Sequence, residues 1–273
     1  MIFPIVCVIN KVIEDEPMKY YKKLLELQCF TRADAIHLTG NVGTASSMLS
    51  DYQKKGYINL IKRNLYAVIS METGQAVASR YYIGSHIKDT AYLSHHAAFE
   101  YFGLANQVFY ELYVSGEKRF TPFEYEGVVY RHVAPRISEG VMEGMDGVRV
   151  TDLERTVLDG IGDFEKIAGL EELLRCLELV PYLNEKKLLI YLEQYRKQIL
   201  YQKTGYILGH LKKELRLSDQ FFDACEKKVT KSVRYLYRGI RNKSNVFDNR
   251  WQLIVPKDLM KLVSQGDEPD ANV

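Results

Sequence analysis

The sequence predicts an α+β protein: an N-terminal winged helix-turn-helix, then a mixed α/β domain with a mainly helical C-terminal part. Three observations in its 273 residues lead to that class. A capped helix, a glycine break, a second helix and a two-strand hairpin follow one another within residues 30–68. Short β-type runs separated by glycine turns occupy 89–150, and apolar residues at i, i+3, i+4 spacing dominate the helical segments beyond. The expected division is a first domain over 18–72 and a second over 76–263, mixed α/β over 89–160 and helical over 161–263.

Met18–Leu27 places Tyr21, Leu24 and Leu25 at helical spacing, with Cys29 just beyond, and is the first supporting helix. In Phe30–Thr39, Thr31 caps a short helix and Asp34 completes a capping box three residues later. Gly40-Asn41-Val42-Gly43 supplies the sharp turn, and Thr44–Lys55 resumes the helical period with Ala45, Met48, Leu49 and Tyr52 inward. Its outer face carries Thr44, Ser46, Ser47, Ser50, Gln53 and Lys54, short polar groups suited to base edges and phosphates. Gly56 stops the helix. Tyr57–Ile61 and Leu65–Val68 are then two strands around a cationic Lys62-Arg63-Asn64 tip.

Glu72–Gln75 marks a loop and Ala76–Ile87 a linking helix. Tyr92-Leu93 leads into a helix over 94–103 capped by Ser94 and closed by Gly103. Phe109–Val114, Arg119–Tyr125 and Val128–Val133 are strand-like, Pro122 assigning part of the second to an edge. Gly147–Val150 is a further strand, and Thr151–Asp159 starts a helix with Thr151 as cap and Glu154 in the capping-box position. Helices are expected at Gly169–Val180, Asn184–Tyr195 and Ile199–Leu215.

With 47% hydrophobic and 12% aromatic residues the chain must bury a core, which excludes wholesale disorder. Its net charge of +2 conceals an uneven distribution. Lys and Arg outnumber Asp and Glu by 8 to 3 over 18–70 and by 10 to 3 over 225–264, whereas 71–224 has 18 against 23. Basic ends flanking an acidic middle suit a nucleic-acid reader joined to a more acidic partner domain. Cys7, Cys29, Cys176 and Cys225 form no C-x-x-C pair, so reduced thiols in a cytoplasmic protein are expected. The apolar run Ile2–Ile9 is too short to span a membrane, and Met18 offers a second start; the acidic tail from Gln265 is expected to fray.

Three stretches resemble the AbiE-type abortive-infection antitoxin family. They are 30–68, with Leu38-Thr39-Gly40 and Lys62-Arg63-Asn64-Leu65-Tyr66-Ala67-Val68; Tyr92-Leu93-Ser94-His95-His96-Ala97-Ala98 through Gly103-Leu104; and Val150-Thr151-Asp152-Leu153-Glu154-Arg155-Thr156-Val157-Leu158-Asp159. They run in family order across most of 18–215. The resemblance implies an operator-binding autorepressor that counteracts a co-encoded nucleotidyltransferase-like toxin, often without a stable complex. Asn64 stands where the family usually has glycine at the hairpin tip, and asparagine tolerates the left-handed conformation.

The candidate DNA-contacting residues are Arg32, Thr44, Ser46, Ser47, Ser50, Lys54, Lys62 and Arg63. The alternative for each is a solvated polar face. Two copies on an inverted-repeat operator are expected. Asp152, Glu154, Arg155 and Asp159 admit a carboxylate-site reading, but a capping box with an interior ion pair explains the same residues. His95 and His96 are assigned packing or hydrogen-bonding roles, and no cofactor, metal or catalytic set is expected. Residues 227–243, with Phe247 and Trp251 behind, interleave cations and aromatics; this suits nucleic acid or an acidic partner, or a basic amphipathic helix with buried aromatics. Two rival functions stay open: a ligand-responsive regulator without a toxin, and an enzyme-like second domain acting on toxin or nucleotide.

Overall fold

The computed structural model describes residues 18–144, 146–242 and 244–264. The Ile2–Ile9 run, Cys7 and the acidic tail lie outside the described residues. The chain forms an α+β fold in two compact units that divide between Ser79 and Arg80.

The first unit runs α1 (Tyr21–Leu27), β1 (Cys29–Thr31), α2 (Arg32–Thr39), α3 (Val42–Lys54), β2 (Ile58–Lys62) and β3 (Leu65–Val68). Thr31 caps α2 with the full capping box: its hydroxyl accepts from the Asp34 N–H while its own N–H donates to the Asp34 carboxylate at 2.7 Å. Gly40, at φ +71°, closes α2 in a conformation that a Cβ would strain. The turn is shorter than expected, because the helix resumes at Val42 and not at Thr44. Asn41 is the reason: its Oδ1 accepts from the N–H groups of Gly43 and Thr44 at 2.7 and 3.1 Å.

Ala45, Met48, Leu49 and Tyr52 turn inward and join Tyr21, Leu24, Phe30, Ala35, Ile58 and Val68 in one core. β1, a strand the sequence did not announce, pairs antiparallel with β3, giving the order β1-β3-β2. The β2–β3 hairpin turns on Arg63-Asn64 alone; Lys62 belongs to β2 and pairs with Leu65 across a bulge after Leu60. Asn64 adopts φ +69°, the left-handed conformation anticipated for it. The linking helix is shorter than the expected 76–87. Ala76 bridges Ile69 and the Val77 N–H donates to Val68 O, so the helical run begins at Arg80.

The second unit opens with α4 (Arg80–His86) and builds a six-stranded mixed sheet. Its strands are β4 (Tyr92–Leu93), β5 (Glu111–Ser115), β6 (Phe123–Tyr125), β7 (Val128–Val133), β8 (Val141–Glu143) and β9 (Arg149–Thr151), in the order β6-β7-β5-β4-β9-β8. β6, which follows Pro122, is an edge strand as predicted. β8 was not anticipated.

Between β4 and β5, α5 (His96–Tyr101) is not capped by Ser94. His95 takes φ +55° and turns the Ser94 hydroxyl towards Ser115 Oγ, 2.7 Å away. The cap of α6 (Leu153–Gly162) is also displaced by one residue: Asp152, not Thr151, accepts from the Arg155 N–H, and the Thr151–Glu154 capping box does not form. Thr151 ends β9 instead, and its hydroxyl bonds Thr156.

A helical layer follows: α7 (Leu170–Glu178), α8 (Glu185–Tyr195), α9 (Gln198–His210) and α10 (Asp219–Glu226). α6 packs against α5, α8 and α9. The helix expected to reach Leu215 ends at His210, although Leu211 and Leu215 remain buried. The expectation of helix through 263 fails beyond α10. There, β10 (Arg234–Tyr235), β11 (Asn245–Asp248) and β12 (Leu253–Pro256) form a second sheet, ordered β10-β12-β11, before the short α11 (Lys261–Ser264). Among the described residues, the basic segment over 227–242 is therefore no amphipathic helix. Leu236 and Ile240 are its buried residues, and of the aromatics behind it Trp251 is buried and Phe247 exposed.

Candidate nucleic-acid interface

The outward face of α3 is polar because the inward face takes every large apolar residue between Ala45 and Tyr52. Thr44, Ser47, Ser50, Gln53 and Lys54 are exposed there, and Ser46 is half-buried. Arg32, in the first turn of α2, is the link between helices: its Nη2 donates to Ser46 Oγ at 2.8 Å. The Ser46 hydroxyl in turn donates to Val42 O at 2.9 Å. Ser46 is thus a structural brace between α2 and α3, and its hydroxyl proton is already committed. The Arg32 N–H also donates to Asn64 Oδ1 at 3.3 Å, tying the hairpin tip to the start of α2.

Two shallow depressions lie on this face. One of about 390 Å³ is lined by Arg32, Ser46, Ser50, Gln53, Lys54 and Tyr66, with Leu49 at its floor. The other, about 440 Å³, runs over Ser46, Ser47, Ser50, Asp51 and Lys54. The fold therefore gathers Arg32, Ser46, Ser47, Ser50 and Lys54, whereas Thr44, Lys62 and Arg63 line neither depression. Arg63 is exposed in the hairpin turn and Lys62 is half-buried in β2.

The charge on this face is positive. Asp51 is neutralised by Lys55 at 2.8 Å, which raises the lysine's pKa, and Asp34 is occupied in the capping box. Lys54 and Arg63 have no ion-pair partner among the described residues. The expected phosphate site at the α3 N-terminus is weaker than the sequence suggests. Two of its orphan N–H groups already bond Asn41, so an incoming phosphate would compete with that cap.

Gln53 and Tyr66 were absent from the candidate set. Gln53 follows Ser46 and Ser50 at helical spacing, and Tyr66 alternates with buried Leu65 and Ala67, so periodicity held both signals.

In the second unit the Asp152–Asp159 stretch is internally satisfied. Arg155 is fully buried and its Nε lies 3.0 Å from Asp159 Oδ2. Its other nitrogens reach Glu139 O and the Tyr92 hydroxyl. Asp159 accepts from Tyr195, and Asp152 from Tyr191 at 2.7 Å and Lys187 at 3.0 Å. Glu154 accepts from the Asn184 N–H at 2.9 Å. Cap and ion pair account for these groups without chemistry.

Both histidines are buried in packing and hydrogen-bonding roles, as expected, His95 beside Ser94 at 2.9 Å and His96 beside Glu172 at 3.2 Å. His95 caps α5 with its backbone, and burial lowers its pKa. His96 does find convergent partners, brought from α7: among the described residues, His96, Glu172 and Cys176 form a group whose donor atoms all lie within 4.8 Å of one another.

No family model and no curated protein matches this chain. Among solved structures it is similar to the crystal structure of RV2827C protein from Mycobacterium tuberculosis. The two share 14% identity and a TM-score of 0.62, over 91% of this chain and 93% of that one. Identity this low speaks to the fold alone. No helix among the described residues is long and apolar enough to cross a membrane.

Proposed function

We propose that this chain binds operator DNA through a winged helix-turn-helix formed by α2, α3 and the β2–β3 hairpin. One observation supports this above the rest: Arg32 braces α3 and the hairpin tip into one surface that carries exposed hydroxyls and cations without ion-pair partners. α3, at 13 residues, is about 20 Å long, sufficient to lie in a major groove. Ser47, Ser50, Gln53 and Lys54 face the bases and nearer phosphates, while Arg63 grips the flanking backbone. Ser46 acts by holding Arg32 in place.

Repression of its own operon and neutralisation of a co-encoded nucleotidyltransferase-like toxin complete the proposal. Both rest on the resemblance to AbiE-type antitoxins. Footprinting of the DNA upstream of the gene tests the first part: protection of an inverted repeat supports it, and uniform cleavage defeats it. Co-expression with a neighbouring nucleotidyltransferase-like gene tests the second, since an antitoxin restores growth.

A ligand-responsive regulator is favoured by one feature of the second unit. A cavity of about 1310 Å³ is lined by Phe164, Lys203, Arg234, Tyr235, Tyr237 and Arg238, among others. Operator affinity that changes when a nucleotide or other organic anion fills it, with no toxin gene alongside, would support that reading instead.

A further inference from the structure

The geometry points to a zinc-class metal site at His96, Glu172 and Cys176, joining the sheet-side helix α5 to α7. The inference is independent of DNA binding. Glu172 and Cys176 are one helical turn apart on α7, and His96 arrives from 76 residues earlier. His96 Nε2 lies 3.2 Å from Glu172 Oε1, and Cys176 Sγ lies 3.6 Å from the same oxygen.

Those two contacts are hydrogen bonds to Glu172 Oε1, and their spacings also fit a metal. Zinc bonds of about 2.0–2.1 Å to nitrogen and oxygen and about 2.3 Å to sulfur, at tetrahedral angles, separate N from O by about 3.3 Å and S from O by about 3.6 Å. Donor type agrees as well, since an imidazole, a carboxylate and a thiol together suit a borderline-soft cation and not magnesium or calcium.

The surroundings support the same assignment. His96 Nδ1 lies 2.9 Å from Glu100 Oε1 without hydrogen-bond alignment, which places a carboxylate behind the imidazole, where metal-ligating histidines commonly carry one. Glu100 is held by the Phe109 N–H at 2.9 Å and by Arg80 and Tyr81, each at 3.1 Å. Burial and the neighbouring Glu172 carboxylate push the Cys176 thiol up, so a bound cation has to displace its proton. Phe109 packs edge-on against His96 with ring centroids 4.3 Å apart, and all three donor residues are buried. Three protein ligands leave a fourth position for water.

Cobalt(II) titration of the chelator-stripped full chain is the test. The result expected is one equivalent bound, with a thiolate-to-cobalt charge-transfer band that zinc displaces, and a rise in Tm when zinc is added. Cys176→Ser loses the band, Cys225→Ser keeps it, and Glu100→Gln weakens zinc binding by about 10- to 100-fold. Failure of the wild-type chain to bind cobalt or zinc, or a band that survives Cys176→Ser, overturns the assignment. The wild-type titration decides even if a variant does not fold.

Discussion

Separating the Arg155–Asp159 pair tests the structural account of the second unit. Arg155 is 1% exposed and Asp159 6%, with 3.0 Å between Nε and Oδ2. Two unit charges at that distance attract by about 5 kcal/mol at an effective dielectric of about 20. Removing one partner strands the other in the interior, at a cost of about 3–5 kcal/mol. Arg155→Met and Asp159→Leu are each expected to lose that much.

Together they lose far less than the sum. The double variant forfeits the hydrogen bonds to Tyr92, Tyr195 and Glu139 O, about 1 kcal/mol apiece, but leaves no unpaired charge. A total near 3 kcal/mol implies a coupling energy of about 3 kcal/mol or more. Trp251 is the sole tryptophan and is buried in the second unit, so urea unfolding followed by its fluorescence reports on that unit. Single variants that each cost less than about 1 kcal/mol, or a double that equals the sum, would refute the reasoning. Intact stability with loss of the proposed antitoxin action would return the carboxylates to the enzyme-like alternative.

Other outcomes follow from the same structure. Lys54→Ala and Arg63→Ala should each reduce the slope of log K against log salt by about 0.9 per copy bound, as measured by anisotropy; an unchanged slope removes that residue from the phosphate contacts. In Gly205→Ala, the added Cβ would lie 2.2 Å from the Trp251 ring, so a loss of about 1–3 kcal/mol and a shifted emission maximum are expected. Lys203 sits over the Phe164 ring at 4.2 Å, and burial lowers its pKa to about 8 from 10.5. Between those values the unfolded chain binds the extra proton, so stability rises with pH across that window. Lys203→Met should flatten the rise and stabilise the fold at pH 7; unchanged pH dependence would show that Lys203 is not its source.

Legibility in the sequence followed the range of the signals. α2, its capping box and the buried face of α3 were readable because caps and periodicity act within a few residues. β1 escaped notice because three residues carry little local preference, and pairing with β3 some 36 positions later creates the strand. The Ser94 and Thr151 caps were each misplaced because another side chain takes the hydroxyl, Ser115 on β5 for Ser94 and Thr156 within α6 for Thr151. In the sheet over 234–256, the two-residue β10 was not legible because it pairs parallel with β12 and leaves no hairpin signal, whereas the antiparallel β11–β12 hairpin was simply missed.

The candidate surface shows the same limit. Exposure of Thr44, Ser47, Ser50, Lys54 and Arg63 was legible from helical period and turn position. The brace from Arg32 to Ser46 was not, since it spans 14 residues and two helices. The convergence of His96 with Glu172 and Cys176 depends on packing between elements that no spacing rule connects.

The most direct test of the central proposal is fluorescence-anisotropy binding to the duplex upstream of the gene, against a scrambled duplex, across a salt series. The account predicts tight binding to the upstream duplex alone, weakened by Ser47→Ala and Arg63→Ala. Equal, steeply salt-dependent binding to both duplexes, or no binding to either, would contradict it.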